Sequence, residues 1–93
     1  MSRVAFEAES QRQGFAVSEG EIKPNEHRAA HVHDFDLRVL VLQGSFDLVT
    51  DGARRTLGPG AACDVPAGTL HEEHAGPDGA RYVIGRRSLE ACA

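Results

Sequence analysis

His31, His33 and His71 are the residues of this chain best equipped for chemistry. Neutral imidazole is a common ligand for divalent transition metals, and three of them aimed at one point would make a metal site. On a β-strand alternate side chains share a face, so the spacing His31-Val32-His33 turns both rings the same way. A third ligand must come from elsewhere in the chain. His71 follows Pro66-Ala67-Gly68, a turn that ends one strand and directs the next toward the same interior.

The elements that must position these rings are short strands. Arg28 to Leu42 carries the first two histidines into an aliphatic run and stops at Gln43-Gly44, and Ser45 to Thr50 forms the next strand. Asp51-Gly52 is a hairpin signal, returning the chain through Ala53 to Leu57 before Gly58-Pro59-Gly60 breaks it. Ala61 to Val65, Leu70 to His74 and Ala80 to Arg87 complete the series, the last two separated by Gly76-Pro77-Asp78-Gly79. Residues 1–23 are predicted as one or two N-terminal edge strands ending in a Lys23-Pro24-Asn25-Glu26 turn, and 88–93 as an irregular tail. No amphipathic pattern long enough for a substantial helix is visible, which points to an all-β sandwich or barrel in one domain, 1–93.

Composition narrows the function classes. A net charge of -4, with no basic cluster beyond Arg54-Arg55 and Arg86-Arg87, argues against nucleic acid, whose recognition depends on cationic contacts to phosphate. The run Val39-Leu40-Val41-Leu42 is far too short to span a membrane. The N-terminus meets acidic and polar residues before any apolar stretch of the kind a secretory signal needs, so a cytoplasmic location is expected. Two distant cysteines form no disulfide framework; Cys63 reads as a small buried apolar residue and Cys92 as a free thiol in the tail.

The chain resembles a small single-domain cupin, a double-stranded β-helix or jelly-roll barrel. The second motif of that family, glycine, five residues, Pro-x-Gly, two residues and histidine, matches Gly60, Pro66, Gly68 and His71 at every spacing. The first is matched by His31-x-His33 and by Gly44 eleven residues on. The resemblance implies a barrel holding a metal on His31, His33 and His71. It also implies a glutamate four residues after the second histidine, but Leu37 stands there. Two carboxylates compete for the vacancy. Asp36 has the opposite strand parity and needs a bulge to reach inward, whereas Glu73 shares the face of His71 and would serve as a ligand, as an acceptor orienting an imidazole, or as a base.

His27 and His74 read as surface residues, Asp34 and Asp36 equally well as a solvated turn, and Arg38 as an ion-pair partner on the barrel exterior. Phe35, Val39, Val41, Phe46, Leu48, Val65 and Tyr82 read as core or pocket wall. This donor set suits Fe, Mn, Ni, Cu or Zn without choosing among them. The expected function is a metal-binding cupin with a small-molecule pocket, of oxygenase or isomerase type. The alternative is a non-catalytic ligand-binding or sensor module. A thin core and open edge strands lead to the expectation of a homodimer.

Overall fold

The computed structural model describes residues 1–88, so the expectations for Cys92 and for 89–93 fall outside the described residues. The elements run α1 (Arg3–Arg12), β1 (Ala16–Ile22), β2 (His27–His31), β3 (Phe35–Thr50), β4 (Ala53–Leu57), β5 (Ala62–Val65) and β6 (His71–Ser88). All strand pairings are antiparallel.

Two long strands organise the barrel. The first part of β3 pairs with β5 on one side and the second part of β6 on the other, which in turn pairs with β1. The end of β3 pairs with β4 and with the beginning of β6, whose other edge takes β2. Each long strand therefore serves both layers of a jelly roll. The register shifts between Val41 and Gln43 and between Gly44 and Phe46 are where β3 passes from one layer to the other. Gly44 and Gly79 meet at this corner: Gly44 has φ +73°, and a Cβ there would lie 2.0 Å from the Gly79 carbonyl oxygen. The sequence segments read as separate strands before and after Gly44, and before and after Gly76–Gly79, are thus continuous strands that bend.

The bend preserves side-chain parity on each side of it. Leu37, Val39 and Val41 from one half, and Phe46 and Leu48 from the other, join Ile22, Leu57, Val65, Tyr82 and Ile84 in one buried cluster. Cys63 belongs to it as expected; burial pushes its thiol pKa up to about 11. At the β3–β4 hairpin, Asp51 and Gly52 both adopt positive φ (48° and 76°), as a tight primed turn requires. No described helix is long and apolar enough to cross a membrane.

The N-terminal expectation needs correction. Residues 3–12 form a helix, and only 16–22 of the predicted edge-strand region is a strand. Ser2 caps the helix by accepting the Ala5 N–H at 3.2 Å, and Arg3 bonds Glu7 one turn on. Only Phe6 and Ser10 are buried, so the apolar stripe is too thin to show as helical periodicity. Phe6 packs on Leu40 and Val83, covering the outer face of the sheet, and Ser10 accepts a bond from Arg38. Arg38 does lie on the barrel exterior, paired with Asp64 and Glu9, but it is buried beneath α1 rather than bathed in solvent. Ser2→Ala is expected to cost about 1 kcal/mol, read as a lower midpoint in chemical denaturation.

Candidate metal centre

The Pro66–Thr69 turn fastens the two histidine motifs together. Thr69 N–H closes the turn on Pro66 O at 3.1 Å, and Gly68 N–H donates to His33 O at 2.9 Å. Beyond the turn, β6 begins at His71, directly opposite His31 of β2. The three rings gather accordingly. Centroids lie 4.8 Å apart for His31 and His33, 4.3 Å for His31 and His71, and 5.1 Å for His33 and His71. One ligand nitrogen from each comes within 4.8 Å of the others.

Two of the rings are held in one tautomer. His71 Nδ1 lies 2.8 Å from Thr69 O, and His31 Nδ1 lies 2.7 Å from Ala29 O. A carbonyl oxygen only accepts, so each Nδ1 carries the proton and each neutral ring keeps its lone pair on Nε2. His71 is 1% exposed, and its Nε2 is buried without a hydrogen-bond partner. A buried acceptor left bare is costly unless something with positive charge meets it. His33 stacks on Phe35 at 4.6 Å, and its pKa is lowered, first by burial and then by the neighbouring charges of His31 and His71.

A cavity of about 250 Å³ adjoins the rings. His31, His33 and Glu73 face it along with an apolar wall that includes Leu37, Val39, Phe46 and Ile84. Glu73 Oε1 stands 3.8 Å from His71 Nε2, and its Oε2 is 3.5 Å from Arg28 Nη1, in range for charge pairing. Glu73 is therefore beside the cluster, as its parity with His71 implied. Asp36, the other candidate, is on the opposite face: Oδ1 accepts Ala67 N–H at 3.0 Å and Oδ2 accepts from Arg87 at 2.9 Å. No bulge turns it inward, and these bonds lower its pKa. Leu37 occupies the core.

Tyr82, read as core or pocket wall, lines the cavity, as do Arg28 and Arg86, whose place there the sequence did not reveal. Arg28 reaches Tyr82 Oη at 3.2 Å and pairs across the strands with Glu73. Its inward aim depends on a register shift between Arg28 and His31; simple alternation from His31 would have turned it outward.

The model of the AraC-like ligand binding domain family matches residues 14–84. The chain belongs to that family. No curated protein matches it. Among solved structures, a protein of unknown function from Rhizobium leguminosarum bv. viciae 3841 is 22% identical with a TM-score of 0.74, over 82% of this chain and 72% of that one. The polyketide cyclase RemF from Streptomyces resistomycificus is 30% identical with a TM-score of 0.69; the match covers 82% of this chain but only 58% of RemF. KdgF from Halomonas sp. is 25% identical with a TM-score of 0.65, covering 83% and 73% of the respective chains. Cupin proteins recur among the neighbours, and the barrel described above is a small cupin domain.

Proposed function

We propose that this domain binds one divalent transition metal through His31, His33 and His71 and a small molecule in the adjoining cavity. The observation that carries the reading is the buried, partnerless Nε2 of His71 beside two further imidazoles, with the tautomers of His31 and His71 set by backbone carbonyls. The residues fit a metal: three nitrogen donors, a carboxylate at the margin and a cavity left for a further ligand. Fe, Mn, Ni, Cu or Zn would supply Lewis-acid or redox chemistry there. The chain's own contribution is to turn Nε2 of His31 and His71 toward the site, to shield one side of the cavity with Leu37, Val39, Phe46 and Ile84, and to present Glu73 and Arg28 to a bound molecule.

The cavity is small, so its occupant is small; a compact, oxygen-bearing ring compound would match the polar rim and apolar wall. The likeness to a polyketide cyclase supports an enzyme acting on such a compound, and the family's ligand-binding description supports the sensor alternative. Elemental analysis of the purified protein, followed by turnover screening against small oxygen-rich and aromatic substrates, separates them. Metal with turnover supports the enzyme; tight binding of a compound that is returned unchanged supports the sensor. Absence of stoichiometric metal, together with no uptake of Zn(II), Mn(II), Ni(II), Cu(II) or Fe(II) at micromolar concentration, would reject the metal reading.

Protons compete with metal for the same lone pairs, so affinity is expected to fall as pH drops below about 6. The direction at His33 moderates this: its lowered pKa keeps the ring neutral, and able to ligate, at a lower pH than an ordinary histidine. A metal titration between pH 5 and 8, run in roughly unit steps, would show the decline at the acid end and a plateau above it.

We further propose that the chain acts as one domain and pairs as a homodimer. Among the described residues, β1, β2, β4 and β5 each have a single strand neighbour, leaving edges that a second copy would cover. Sedimentation that returned a stable monomer at micromolar concentration would reject the pairing.

A further inference from the structure

His71-Glu72-Glu73-His74 sits at the start of β6, where alternation sends His71 and Glu73 into the barrel and leaves Glu72 and His74 for its outer face. Each face thus receives one imidazole and one carboxylate from the same four residues. On the inside they join His31 and His33. On the outside they join His27, which is the direct cross-strand partner of His74 in β2.

The outer three are arranged around a common point. The rings of His27 and His74 stack at 4.0 Å with an interplanar angle of 15°. Both present Nε2 to the Glu72 carboxylate, His27 at 3.3 Å from Oε2 and His74 at 3.6 Å from Oε1. One ligand atom from each of the three lies within 4.8 Å of the others. His74 Nε2 is buried and has no hydrogen-bond partner of its own. Asp47, opposite His74 on β3, has its carboxylate engaged by Arg54 at 2.8 Å and Thr56 at 2.6 Å.

We propose that His27, Glu72 and His74 form a second metal site, on the outside of the barrel and back to back with the inner one. Two imidazoles and a carboxylate match Zn(II), Cu(II) or Ni(II). In a tetrahedral Zn(II) site, ligand atoms about 2 Å from the ion stand roughly 3.3 Å from one another, so the present spacing must contract by at most about 1.5 Å. His27 is half exposed and Glu72 a third exposed, so these two side chains have room to close on His74. The site is open to solvent, which leaves a coordination position for water or for a donor from another molecule.

The proposal does not depend on the inner site, and Zn(II) titration of metal-free protein distinguishes the two. Wild type is expected to take up two ions per chain. The variant His31→Ala/His33→Ala should retain one, and adding His27→Asn should weaken that remaining ion by at least about tenfold, since even residues behind the ligands are worth that much. His27→Asn/His74→Asn alone should retain only the inner ion. Circular dichroism of each variant checks that the barrel is intact, which exposed positions such as His27 favour. One ion in wild type, lost with His31 and His33 but unchanged by His27→Asn/His74→Asn, would overturn the proposal and leave the inner site standing. One ion lost only with the outer residues would overturn the inner site instead.

Discussion

His33→Ala is expected to reduce Zn(II) affinity at the inner site by more than about 100-fold while leaving the barrel folded. Removing a residue that merely orients a ligand costs 10- to 100-fold, so removing a ligand should exceed that range. His33 suits the test better than its partners. His71 is almost wholly buried, and its truncation would open a hole beside the core; His33 lies between β2 and β3, partly exposed, with its ring stacked on Phe35 and its backbone carbonyl engaged by the Gly68 turn. Truncation leaves that carbonyl in place. Isothermal titration of metal-free protein against Zn(II), in a background where His27→Asn/His74→Asn silences the outer group, gives the number directly. Equal affinity in this background with and without His33→Ala would remove His33 from the ligand set and with it the argument that strand parity defines the centre.

Much of the inner site was legible in the sequence. The spacing from Gly60 to His71 needs only that a turn reverse the chain, and it does; His31 and His33 converge even though β2 ends at His31 and His33 lies in the connection to β3, so the single strand expected from Arg28 to Leu42 is split there. Glu73 followed from its strand parity with His71. What remained hidden was whatever depended on breaks in regularity. Gly44 and Gly76–Gly79 read as chain reversals because glycine and proline punctuate strands, yet they serve as corners at which β3 and β6 change layers. Arg28 enters the cavity through a register shift that no pairing-free reading could locate. The helix α1 was missed because a single buried phenylalanine and a serine anchor it, so capping and an ion pair carry a signal that hydrophobic periodicity does not. Asp36 was left open because the sequence could not show that Arg87 and Ala67 hold it on the far face.

Glu73→Gln is the sharper test of how this chain manages without a glutamate at position 37, and it is expected to weaken metal binding at the inner site by at least about tenfold. The substitution keeps the shape of the side chain and removes its charge. Glu73 Oε2 is buried without a hydrogen-bond partner among the described residues and has Arg28 nearby as a compensating charge, while Oε1 lies 3.8 Å from His71 Nε2. A carboxylate so placed is poised either to complete the donor set or to balance the charge of a metal held by the three nitrogens. The two roles separate spectroscopically. With Co(II) as probe, loss of a carboxylate ligand changes the visible absorption bands along with affinity, whereas loss of a charge-balancing neighbour lowers affinity by 10- to 100-fold with the nitrogen-dominated spectrum retained. Asp36→Asn supplies the control, because it also removes one negative charge from the chain but does so on the face occupied by Arg87 and Ala67. It should leave metal affinity unchanged. Matching affinities for Glu73→Gln and wild type would mean that Glu73 serves neither role, and that the inner centre works with three histidines and no carboxylate.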